Sequence, residues 1–231
     1  MANKTNITIA EARELVANQL LWSHVRNFLC DFVPQIHGSW MQDLGRETLD
    51  DRRDDETATS QISHLLSSPR VKRFVLDSLG VKPCFHNFPA EDGSRILLLD
   101  GETISSIAMW LGALAFSDRF RRVTRGADVR ALKAALPGIY PEVFGYTAYF
   151  KDLVEGEVPE LRGDGGFAEV ADYGYGLLIA ALAKLPADLL SRARFKLPKD
   201  VRIAESKREI KLSVILKLLK LKFPEAYKLC C

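Results

Sequence analysis

The sequence predicts an all-α protein: a single compact multi-helix domain over residues 61–231, with a loosely attached N-terminal segment, residues 1–60, made of one helix and an acidic linker. Three observations carry this. Apolar residues recur at intervals of three and four in several segments, and those segments start and stop on capping residues, prolines and glycines. No stretch of useful length alternates apolar and polar residues as a half-buried strand does, and no internal repeat is present.

The first helix begins near Thr8, which stands at capping-box spacing from Glu11, and its face is Trp22, Val25, Leu29 and Phe32, ending just before Pro34. From Pro34 to Gln61 the chain is polar, acidic and poor in periodic apolar residues, so a long loop or irregular linker and a boundary near residue 60 are expected. Ser68 as cap, Pro69 in the first turn, Val71, Phe74, Val75 and Leu79 as the apolar set and Gly80 as the stop define a second helix. Two prolines and a glycine make residues 81–94 a connector. Asp100 can cap a third helix, whose apolar positions are Ile104, Ile107, Ala108, Leu111, Leu114 and Ala115, with Gly112 allowing close packing.

Arg119 to Thr124 continues that helix or starts another, Gly126 interrupts, and Val129, Leu132, Ala135 and Leu136 mark a further helix that ends at Pro137-Gly138. The segment YPEVFGYTAYF (140–150) is expected to be an aromatic core helix, and residues 155–166 a loop. Two apolar helices follow, split at Pro186. A long basic amphipathic helix over residues 205–223 ends at Pro224; its wide apolar arc favours packing in a bundle, lysines reaching water, over a membrane surface.

Composition bounds the function. Thirty-two basic against 30 acidic residues leave a formal charge of +2, too balanced for a general polyanion binder, so electrostatic function must be local. The stretch 43–56 holds seven acids against three arginines, whereas residues 118–138 carry Arg119, Arg121, Arg122, Arg125, Arg130 and Lys133. Cys30, Cys84, Cys230 and Cys231 have no zinc-site spacing, and the N-terminus reads as no signal peptide, which points to a reducing cytosol without a structural disulfide. No apolar run reaches the roughly 20 residues of a membrane-spanning helix. The terminal Cys-Cys pair is like a doubly prenylated tail, but no phosphate loop accompanies it.

Catalytic chemistry finds no footing. His24, His37, His64 and His86 are scattered, the glycines of RGDGGF (162–167) lack a phosphate-loop lysine, and Gly174 with Gly176 lacks a third glycine and a preceding strand. No catalytic residue, metal or cofactor is therefore expected. The basic strip admits three readings. A helix-turn-helix would place a recognition helix from about Ala127, with Arg130 and Lys133 toward the groove; against it, no Asn or Gln accompanies the arginines and the charge is near balance. An ordinary solvated face is the second. Docking to an acidic protein surface is the third and the one adopted, because arginine is enriched at interfaces and pairs bidentately with carboxylates.

Residues 98–144, 174–200 and 215–229, taken in order, resemble the YscK/SctK family of type III secretion proteins. The resemblance is carried by Leu111-Gly112, the arginine segment Arg119 to Gly126, the run Gly176 to Pro198 with Arg192 or Arg194 ahead of Lys196-Leu197-Pro198, and Ile215 to Pro224. It spans about residues 95–226 and is looser toward the N-terminus. It implies a non-enzymatic cytosolic adaptor of the injectisome sorting platform. Its partners would be the cytoplasmic domain of the inner-membrane ring protein (SctD-like) and the pod protein (SctQ-like), and through the latter the stator and ATPase. The resemblance implies a peripheral place at the cytosolic face of the inner membrane, with no nucleic acid and no membrane span.

Overall fold

The computed structural model describes residues 9–42, 68–82, 84–155, 158–159, 168–201 and 210–231. Among them every regular element is helical and no strand occurs. The α-helices are α1 (Ile9–Leu29), α2 (Pro69–Ser78), α3 (Gly101–Ala115), α4 (Ser117–Arg121), α5 (Gly126–Ala135), α6 (Lys151–Val154), α7 (Ala168–Ala181), α8 (Ala187–Phe195), α9 (Leu212–Lys222) and α10 (Pro224–Cys230). Residues 38–42 are also helical, and 3-10 turns form at Val33–Gln35, Ser94–Leu98, Glu142–Gly145 and Thr147–Tyr149.

The centre is α3 packed along α7. From Ile104 to Ala115 nearly every α3 residue is buried, including Ile107, Ala108, Leu111 and Leu114, so this helix is enclosed on all sides rather than amphipathic. Its start is fixed as the sequence predicts: Asp100 accepts from the Thr103 amide at 2.7 Å and from the Thr103 hydroxyl at 2.8 Å, a cap worth about 1 kcal/mol. Two glycines let the backbones touch. A Cβ on Gly112 would collide with the Val170 carbonyl, and one on Gly174 with the Ala108 carbonyl. Gly174 thus serves helix crossing, not phosphate binding.

α2 ends as predicted. Gly80 has φ +66°, its amide reaches the Asp77 carbonyl, and the Val81 amide reaches that of Leu76, which closes a Schellman motif. The buried side of α1 differs in phase from the expected one: Val25, Phe28 and Phe32 are buried and Leu29 is half-buried, whereas Trp22 is 70% exposed. The helix stops at Leu29, and Pro34 lies in the following 3-10 turn. Phe28 stacks edge-on against Phe32 and Phe88 with centroids 5.6 and 5.7 Å away, so residues 25–36 enter the same core as α3. The described N-terminal segment is therefore stitched in closely from Val25 onward. The boundary near residue 60 and the acidic stretch 43–56 lie outside the described residues.

Two further expectations are corrected. Residues 142–149 form two 3-10 turns instead of an α-helix, consistent with Gly145 in the middle of a run of aromatic and β-branched residues, all weak helix formers. Ile210 and Lys211 are not helical, so α9 begins at Leu212, and Pro224 both follows it and opens α10. α9 packs in the bundle through Ile215, Leu218 and Leu219.

Candidate protein-docking surface

α4 and α5 hold the predicted basic strip, and its six cations divide into two sets. Phe120, Leu132 and Leu136 are buried and Val123 is half-buried, so the apolar residues of the strip point inward as the periodicity requires. Arg119 is half-buried and its Nη2 donates to the Val158 carbonyl at 2.6 Å. Arg121 donates to Asp118 Oδ1 at 3.2 Å and to Thr147 Oγ1 at 2.9 Å, and its guanidinium lies 5.7 Å from the Phe144 ring centroid. Both are engaged inside the molecule. Arg122, Arg125, Arg130 and Lys133 are exposed and have no side-chain partner among the described residues.

The interruption between the helices is residues 122–125. Gly126 is the first residue of α5, with Arg125 in extended conformation at the N-cap, its carbonyl accepting from the Val129 amide. The Arg130 guanidinium folds back toward Gly126, which leaves it on the same edge as the 122–125 turn. Three cations thus gather at the junction of two short helices, and Lys133 stands in the last turn of α5.

A second group of cations lies at the far end of the fold, and the sequence reading did not assign it a role. Arg192, Arg194 and Lys196 of α8 and its C-cap donate to eight main-chain carbonyls. Arg192 reaches Phe28 at 2.7 Å, Leu29 at 3.1 Å and Lys82 at 2.9 Å. Phe28 and Leu29 contribute two of the last, otherwise unbonded carbonyls of α1, where the helix dipole also favours a cation. Arg194 gathers the carbonyls of Pro198, Lys199 and Val201 and lies 5.4 Å from the Trp40 ring centroid. Lys196, 1% exposed, donates to Leu97 and Leu99 at 2.7 and 2.8 Å and faces the Phe28 ring at 4.8 Å.

Burial drags the Lys196 ammonium down to about 7, while the nearby Asp100 carboxylate pulls it back up. For Asp100, burial acts upward, but the Thr103 amide and hydroxyl outweigh it and hold the carboxyl below the usual carboxylate range. One signal in the sequence marks these residues. Leu189, Arg192, Ala193 and Lys196 occupy one i, i+3, i+4, i+7 stripe, so two cations stand where apolar residues belong.

His86 pairs with Asp92 at 2.9 Å and His37 with Ser39, far apart in the chain, and among the described residues no three His, Cys, Asp or Glu side chains converge as metal ligands would. The four cysteines are free, no described helix is long and apolar enough to cross a membrane, and His64, Lys207, Arg208 and the RGDGGF segment fall outside the described residues.

A family model described as YOP proteins translocation protein K (YscK) matches residues 53–230. The chain belongs to the YscK family. It is a type III secretion component, and the match contains the whole span over which the sequence resembles that family. No curated protein and no solved structure matches the chain. Within the YscK-family region, the run Arg192 to Pro198 that carries the resemblance is the segment that clamps α1 and the Ser94–Leu98 turn.

Proposed function

We propose that this YscK-family protein is a non-enzymatic adaptor of the cytosolic sorting platform, linking the cytoplasmic domain of the inner-membrane ring protein (SctD-like) to the pod protein (SctQ-like), and through it to the stator and ATPase. It would sit peripherally at the cytosolic face of the inner membrane. The observation that carries the reading is the contrast within one family fold between cations tied to carbonyls and the four exposed cations Arg122, Arg125, Arg130 and Lys133, which have no partner among the described residues. Guanidinium groups in the turn between two short helices and on α5, with their donors free, suit bidentate pairing with carboxylates of a partner protein.

The test is a fourfold charge reversal, Arg122→Glu, Arg125→Glu, Arg130→Glu and Lys133→Glu, in cells that carry the secretion genes. The expected outcome is an unchanged helical spectrum and a melting temperature close to the parent, with loss of co-purification with the ring or pod protein and loss of secretion. A folded variant that assembles and secretes normally refutes the assignment of the strip.

A further inference from the structure

Beside the strip, the Thr147–Tyr149 turn and α6 face the start of α9 across a cavity of about 350 Å³. Phe150 and Leu153 are buried in its floor, Val214 is half-buried, and Tyr149 on its rim is 56% exposed. Lys217 closes one side. Its Nζ donates to the Tyr149 carbonyl at 2.8 Å and stands 5.7 Å from the ring centroids of both Tyr149 and Phe150, so its stem is held along the aromatic wall. That ammonium uses one of its three donors inside the protein. Lys151 is exposed with no side-chain partner among the described residues, and Asp152 is the one carboxylate in the lining.

The cavity and the strip adjoin. Arg121 holds the Thr147 hydroxyl, and Thr147 lies two residues before Tyr149, so at most roughly 7 Å of chain separates the edge of one from the edge of the other. Exposed cations by themselves steer a partner but give little affinity; tight interfaces add a desolvated aromatic or aliphatic anchor in a pocket. The volume is at the small end for ligand sites, about 300–1,000 Å³, and is ample for one large side chain together with part of its flanking backbone.

We propose that the cavity between Tyr149 and Lys217 seats a leucine- or phenylalanine-sized side chain from an acidic segment of a partner protein, whose carboxylates lie on Lys151 and Lys217 and continue toward Arg122. This deepens the docking reading of the strip, on which it rests, by naming the chemistry of what docks.

The experiment titrates the full chain with three fluorescein-labelled peptides, EDLFDE, its apolar-deleted form EDGGDE and its charge-reversed form KKLFKK, with amide chemical shifts as the second readout. EDLFDE alone should bind, shifting amides in 148–153 and 213–217. Val214→Trp, which fills the cavity, and Tyr149→Ala, which removes an exposed wall without touching the core, should each weaken it at least about tenfold. Arg122→Glu with Arg125→Glu should weaken it about threefold, more at low salt. Equal binding of EDGGDE, or full binding by both cavity variants, eliminates the anchor; equal binding of KKLFKK eliminates the charge selection. If the strip variant loses the peptide while the cavity variants keep it, the cavity proposal fails and the strip reading stands. If the cavity variants lose it and the strip variant binds as the parent does, the strip reading fails and the anchor stands. No binding of any peptide up to about 1 mM overturns the proposal.

Discussion

Arg192, Arg194 and Lys196 at one end of the fold and Arg122, Arg125, Arg130 and Lys133 at the other have the same chemistry and opposite situations. The first three are buried or half-buried on main-chain carbonyls; the last four are in water with their donors free. Charge by itself says little about role. What separates the two is whether backbone acceptors converge on the side chain: the first group is committed to the fold, and the second is the one proposed to meet a partner.

The contrast breaks most easily at Arg192. Arg192→Ala leaves the buried carbonyl of Phe28 and the part-buried carbonyls of Leu29 and Lys82 without their donor, and a loss of about 3 kcal/mol in unfolding free energy is expected from urea titration, with α1 amides exchanging first. A loss below about 1 kcal/mol would mean that water serves those carbonyls and that the clamp is dispensable.

Lys196 sharpens it through pH. The group titrates near 7 in the folded chain and near 10.4 when unfolded, so between those values the unfolded state binds more protons and stability rises with pH. Below about 7 both states are charged and the slope vanishes. Stability should climb from pH 7 to pH 9 by up to about 1.4 kcal/mol per unit, and Lys196→Met should remove that increment. Parallel pH profiles for parent and variant would show that the carbonyls of Leu97 and Leu99 keep the ammonium charged throughout.

The smallest difference lies inside the strip. Arg119→Ala gives up a charged hydrogen bond to Val158 from a half-buried position and should cost about 1–2 kcal/mol, while Arg122→Ala should cost less than about 0.5 kcal/mol. Thermal melts of the two variants side by side decide it: equal values would erase the division of the six cations into engaged and free sets.

Much of the fold is legible in the sequence because its signals are local. Asp100 as a cap, Gly80 as a stop, Pro186 ahead of α8 and the buried positions of α3 each depend on neighbours within about one turn. The phase of α1 is not local: Trp22-Val25-Leu29 and Val25-Phe28-Phe32 both fit a 3.6-residue period, and the choice falls to Phe88 and Arg192, which arrive from 60 and 164 residues away. The aromatic run 140–150 has apolar residues in too many phases for periodicity to exclude a 3-10 path. For the proposed docking surface, sequence finds the cations and their inward neighbours. It cannot separate Arg119 and Arg121 from the other four, since Val158 and Thr147 lie 39 and 26 residues downstream.

The glycine crossing of α3 and α7 has a genetic consequence. Any missense change at Gly112 or Gly174 adds a Cβ, and at both positions that atom lands on a carbonyl of the opposing helix, which no rotamer can move aside. At Gly38 and Gly145 the same atom meets nothing within 4 Å. The described glycines therefore differ in kind: Gly101, whose added Cβ would meet the Lys196 carbonyl, stands with the crossing pair, while Gly80, Gly93 and Gly138 are held by their positive φ. At the open positions the side chain can drift with codon sampling; at the crossing pair the set of acceptable alternatives is empty, and a change on one helix can be rescued only by a shift of the other helix's axis, not by a second substitution.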